Sequence, residues 1–210
     1  IHFDLGLKHD HTGIASTRLD GYVSVRRLDP RTGAIEEIRQ PIYTTEWVLA
    51  LAPTPGLDVP IYKLKEFIIS LRALNYPIAE VSTDGYQSEN FRQDLKLLGY
   101  KTALQSVDRT KDPYDHLKDC VLEQRWNGPY HPVLMEEFKD IEDVGRKYDH
   151  SEDGSKDILD AVCGSVYRAF KGLEEYAGVI STESFLDEFD KMTNDNGAGS
   201  IYDKIQSGNF

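Results

Sequence analysis

The chain has 210 residues, 40% hydrophobic and 29% charged, which describes one large soluble unit and leaves no room for a second full domain. Its 24 Lys and Arg against 36 Asp and Glu give a formal charge of −12, which excludes a protein whose main task is to coat DNA or an anionic membrane. No apolar run reaches the roughly 20 residues of a membrane span and no signal-like segment is visible, while two separated cysteines, Cys120 and Cys163, exclude a disulfide framework and fit a reducing compartment.

The sequence starts at Ile1 in a strand-like run, as expected of a domain excised from a longer chain. Residues 1–7, 12–19, 22–28 and 35–43 alternate or are β-branched and predict an antiparallel meander, its first turn at Lys8-His9-Asp10-His11. Behind Pro60, the spacing of Ile61, Leu64, Phe67, Ile68 and Leu71 predicts a helix over 61–74. The period then changes: a strand over 77–83, a helix over 89–98 with Ser88 as its N-cap and Gly99 as its end, and a strand over 101–107 predict a right-handed parallel crossover. Helices follow over 113–126 and 132–141, then an extended piece over 146–150 and a final strong helix over 155–170. A meander followed by βαβα predicts a mixed sheet flanked by helices, the element order of the RNase H-like architecture. Residues 1–172 form this unit. Residues 131–210 hold 18 acidic against 8 basic side chains, and 173–210 read as an acidic tail with a short helix over 182–192.

Three acidic stations carry the chemistry. In His2-Phe3-Asp4-Leu5-Gly6, alternation puts Asp4 on one strand face with His2 and Gly6, where an unpaired carboxylate is costly. Asp84 follows the strand Val81-Ser82-Thr83, at the carboxyl end where α/β sheets gather functional groups; Glu80 shares its face but lies deeper. Asp157 and Asp160, three apart, share one helix face opposite a stripe of Ile158, Val162, Val166, Ala169 and Phe170. Each alone has a plainer reading: a salt-bridged strand residue for Asp4, an Asp-Gly turn for Asp84, a helix-start charge for Asp157. Together they form the arrangement that holds two Mg²⁺ or Mn²⁺ ions about 4 Å apart for in-line attack on a phosphodiester. Asp10 reads as a turn former with a secondary claim to this site. Arg92, Lys96, Lys101, Arg109, Lys111 and Lys118 read equally as a solvated helix face or a DNA-binding track.

His2-Phe3-Asp4-Leu5-Gly6, Asp10-His11-Thr12-Gly13-Ile14-Ala15, Val81-Ser82-Thr83-Asp84-Gly85-Tyr86-Gln87-Ser88, Leu98-Gly99-Tyr100, Asp149-His150 and Gly154-Ser155-Lys156-Asp157-Ile158-Leu159-Asp160-Ala161-Val162 resemble the C-terminal nuclease domain of the large terminase subunit of tailed bacteriophages. The resemblance covers residues 1–170, and its last motif is the most specific. It implies an RNase H-like, metal-dependent endonuclease that cuts concatemeric double-stranded viral DNA during packaging in the cytoplasm of the infected host. It carries the catalytic acids onto Asp4, Asp84 and Asp160, with Asp157 a further metal ligand and Asp10 and His150 secondary. The second acid is often Glu in RNase H-like nucleases, so Asp84 implies a different metal distance. An N-terminal ATPase domain, the portal and the small terminase subunit are the implied partners; no GxxxxGK[ST] loop occurs in this sequence, so the motor is not in it. A four-way-junction resolvase of the same fold, or a non-catalytic docking module of a packaging motor, are the alternatives.

Overall fold

The computed structural model describes residues 1–6, 11–52, 59–85, 88–152 and 154–177. A six-stranded sheet has the order β5-β4-β1-β2-β3-β6, with β1 His2–Asp4, β2 Thr12–Leu28, β3 Ile35–Leu51, β4 Val81–Thr83, β5 Thr102–Leu104 and β6 Trp126–Asn127. The β1–β2–β3 meander is antiparallel, and β4 and β5 add in parallel on the other side of β1. This is the RNase H-like mixed sheet that the element order predicts, extended by β6 in parallel beside β3. A separate hairpin pairs β7 Glu142–Asp143 with β8 Tyr148–Asp149.

Alternation sends the two sheet faces into different cores. Phe3, Ile14 and Val81 face α1 Ile61–Ala73 and α2 Glu89–Leu97, where Leu64, Ile68, Phe91 and Leu95 close the first core. On the other face Ala15, Tyr43 and Val48 pack on α3 Asp112–Leu122, α4 Pro132–Asp140 and α5 Asp157–Ala177. The strand register Phe3↔Ile14 therefore fixes which face His2 and Asp4 occupy, namely the α5 face. Two glycines let α5 lie close on the sheet: a Cβ on Gly13 would overlap the Asp157 carbonyl, and one on Gly164 would overlap the His2 ring.

Several elements differ from their predicted bounds. The strands predicted over 12–19 and 22–28 are one strand, because a bulge at Leu19/Gly21, with Gly21 at φ +146°, bends the ribbon without ending it. The β3 strand runs on to Leu51, its Val48 and Ala50 turned to the α5 core and its Trp47, Leu49 and Leu51 to the other. The third helix stops at Leu122 rather than 126. Gln124 turns left-handed (φ 57°), and the buried Arg125 guanidinium donates to Glu123 and to the Pro41 carbonyl, which turns Trp126 into the sheet. Ser88 occupies the N-cap position but caps nothing: its hydroxyl donates to the Gly85 carbonyl and meets the Thr83 hydroxyl at 2.6 Å. The α5 helix extends past residue 172 to Ala177, and the expected helix over 182–192 lies outside the described residues. Among the described residues no helix is long and apolar enough to cross a membrane.

Candidate functional site

The sheet brings the three acidic stations to one end. Strands β1 and β4 are parallel neighbours, and the Asp84 amide donates to the Phe3 carbonyl at 3.1 Å, so Asp4 and Asp84 leave adjacent strands side by side. Gly85, at φ +70°, turns the chain immediately afterwards. Because α5 begins over Gly13, the residue opposite Asp4 in β2, the first helical turn with Asp157 and Asp160 lands on the same spot. Burial pushes the Asp4 carboxyl well above the usual carboxylate range, and the charges of Asp160, Asp157 and Asp84 push it further, against the pull of Lys156. These four acids share one electrostatic field.

Asp84, Asp157 and Asp160 are also engaged within the protein. Asp160 is 6% exposed; it accepts the Tyr114 hydroxyl at 2.5 Å and lies 3.1 Å from the Lys156 ammonium. Burial raises its pKa to about 6, with Lys156 and Tyr114 opposing the rise. The Lys156 ammonium also pairs with Asp108; although burial disfavours its charge, the two carboxylates outweigh that and hold its pKa above the usual lysine range. Asp84 accepts the Val107 amide at 3.2 Å, and Asp157 accepts the Ser155 hydroxyl at 3.0 Å with His11 at 3.9 Å. Among the described residues no group of three or more His, Cys, Asp or Glu side chains is placed to hold a metal ion as it stands.

The α5 helix is not the half-exposed helix that its stripe predicts. Leu159, Ala161, Cys163 and Ser165 are buried along with Ile158, Val162 and Val166, since the sheet covers one side and α3 and α4 cover the other. Asp160 consequently sits inside the protein, which is why a lysine and a tyrosine meet it.

The other predicted residues scatter. Glu80 pairs with Arg168 and Lys101 before β4 begins, at the opposite end of the sheet from Asp84. Lys101, bound to Glu80 and Glu175, is at that end too. Arg92 pairs with Glu89 in the first turn of α2, and Lys96 is exposed a turn further on. Arg109 is exposed in the loop that also holds Asp108, and Lys111 pairs with Asp143 at 2.5 Å while lying over the Tyr148 ring. Of the basic series, Arg109 shares its loop with Asp108, the partner of Lys156, and Lys111 stands just before α3. His150 is bound through Nδ1 to the Ser151 carbonyl at 2.7 Å, and Asp10 lies outside the described residues.

Sequence reading missed Tyr114, Lys156, Asp108 and Glu137. Only Lys156 carried a local signal, standing four residues before Asp160 on the same helix face. Glu137 of α4 is 4% exposed; its carboxylate accepts the Leu159 amide at 2.7 Å, and its other oxygen lies 3.2 Å from the Ser155 hydroxyl.

Fold and site together define an RNase H-like domain with a carboxylate cluster at the C-terminal ends of its central parallel strands. One similar solved structure is the crystal structure of the HK97 bacteriophage large terminase, at 15% identity and a TM-score of 0.50 over 80% of this chain. The chain spans 38% of that protein's length, and the likeness is one of fold. No protein-family model and no curated relative matches the sequence.

Proposed function

We propose that this chain is the nuclease part of a large-terminase-type packaging protein, a divalent-metal-dependent endonuclease acting on double-stranded viral DNA in the host cytoplasm. The observation that carries the reading is placement: Asp4 and Asp84 leave adjacent parallel strands side by side, and α5 begins over Gly13, opposite Asp4, with Asp157 and Asp160 in its first turn. Such a donor set fits hard divalent cations, which oxygen ligands match, and suits no apolar or anionic ligand. Asp4, Asp84 and Asp160 would hold Mg²⁺ or Mn²⁺, with Asp157 adding a ligand. Bound ions of this kind supply an activated water and stabilise charge on the leaving oxygen in phosphodiester hydrolysis.

The chain's own residues do the rest. Tyr114 and the packing of α5 fix the Asp160 carboxylate, the Val107 amide orients Asp84, and Asp108 offers the Lys156 ammonium a second anchor when Asp160 is required elsewhere. The fold likeness to a phage terminase supports the packaging context, in which an ATPase domain, a portal and a small terminase subunit would be partners. The test is nicking of supercoiled plasmid. The chain is expected to cut with Mn²⁺ or Mg²⁺ and not in EDTA, and Asp4→Ala and Asp84→Asn to fall to background. Full cleavage by either variant would overturn the proposal.

A further inference from the structure

The first amides of a helix have no partner within it, and a Ser, Thr, Asp or Asn just before the helix is their usual acceptor. At α5 the acceptor comes from another helix. The Glu137 carboxylate, 22 residues earlier, takes the Leu159 amide at 2.7 Å and also bonds the Ile158 amide. Its other oxygen meets the Ser155 hydroxyl, which in turn reaches the Asp157 carboxylate. One turn further along α4, Asp140 accepts the backbone amide and the hydroxyl of Ser151, and a Cβ on Gly154 would overlap that same carboxylate. One face of α4 thus meets Ser151, Gly154, Ser155 and Leu159.

Burying a carboxylate to cap a helix costs more than a local serine cap would, since burial itself disfavours its charge. What the longer route supplies is registration between two elements. We infer that Glu137 is a positioning residue of the acidic site: it sets the first turn of α5, and through Ser155 the Asp157 carboxylate, against the end of β1. Its consequence for catalysis rests on the nuclease reading; its consequence for the geometry of Asp157 and Asp160 does not.

The experiment compares the full chain with Glu137→Ala, Glu137→Gln and Ser155→Ala by amide hydrogen exchange and by Mn²⁺ calorimetry. In Glu137→Ala, exchange at Ile158, Leu159 and Asp160 is expected to rise about tenfold, the loss of one hydrogen bond, while Val162 and Val166 stay unchanged. Mn²⁺ affinity should fall about 10- to 100-fold, the usual cost of removing a group that orients a ligand. Glu137→Gln should restore both, because its carboxamide oxygen can accept from Leu159 and its amino group can donate to Ser155. Ser155→Ala should weaken Mn²⁺ binding and leave the Leu159 amide protected. Exchange that rises evenly along α5, or a first turn that stays protected in Glu137→Ala, overturns the inference. If the unmodified chain binds no Mn²⁺, the nuclease reading fails, and exchange alone decides the role of Glu137.

Discussion

Lys156 governs the charge balance at the acidic end. Its ammonium stands between Asp160 and Asp108, but the two partners are unequal: the Asp160 and Lys156 side chains are each 9% exposed, whereas that of Asp108 is 46% exposed. Water screens the Asp108 contact and leaves the Asp160 contact strong. Removing the ammonium would strand Asp160 beside Asp4, Asp84 and Asp157. Breaking a buried pair by deleting one partner costs about 3 to 5 kcal/mol; with Asp108 already wet, Lys156→Met should destabilise the metal-free chain by about 3 kcal/mol. Mn²⁺ should then recover more stability in the variant than in the unmodified chain, because ligation supplies the missing positive charge. Calorimetric melting with EDTA and with Mn²⁺ reads both effects; equal metal-induced shifts in the two proteins would show that Lys156 does not share the carboxylates with a cation.

Among the elements, those whose character is local were legible and those set by distant partners were not. The period of α5 and the placement of Asp157 and Asp160 in its first turn followed from spacing, as did the alternation that turns Asp4 toward α5. The joining of two predicted strands into β2 did not, because Asp20-Gly21 has the composition of a turn and is a bulge only where β3 runs alongside it. The end of α3 was illegible for the same reason, being decided by the bonds Arg125 makes to Glu123 and to a carbonyl 84 residues away. Nor could the capping carboxylate of α5 be found by searching near residue 157. The junction of α3 with α5 yields a pH prediction. His116 stacks on Phe170 with ring centroids 4.4 Å apart, and burial, reinforced by Arg125 and Arg27, lowers its pKa to about 4. Above pH 6.5 the ring is neutral in both folded and unfolded chains, so its protonation costs nothing. Below 6.5 the unfolded chain takes up a proton that the folded chain refuses until about pH 4, so stability falls as pH falls. The limit is about 1.4 kcal/mol per pH unit, and the ring's residual water contact brings it to about 1. Asp160, with its raised pKa, works in the opposite sense over part of the range, so the comparison must isolate the histidine. His116→Phe keeps the stack and should flatten the dependence by that amount between pH 6.5 and 4 in urea titrations; an unchanged slope would place the proton elsewhere.

Across the whole molecule the net charge of −12 is less telling than its polarity along the sheet. At the end where β4 begins, Glu80 and Glu175 are matched by Arg168 and Lys101, so that end is electrically closed. At the end where β4 finishes, the described side chains Asp4, Asp84, Asp108, Asp157 and Asp160 surround the buried ammonium of Lys156, with His11 3.9 Å from Asp157, so acidic groups outnumber basic ones among the described residues. A surplus of this sign repels phosphates, and duplex DNA approaches only when cations reverse it. Among the described residues, the basic groups near that end are His11 beside Asp157, Arg109 and, once it leaves Asp143, Lys111. DNA binding should therefore have two signatures. Fluorescence anisotropy with a labelled duplex should detect no complex in EDTA. With Mn²⁺ and a variant that binds metal but cuts slowly, affinity should fall only about tenfold between 50 and 200 mM salt, the slope of about two phosphate contacts. Tight binding without metal would mean that DNA is held elsewhere on the surface, away from the carboxylates. A much steeper salt dependence would reveal a larger basic track than the scattered positions of Arg92, Lys96 and Lys101 provide.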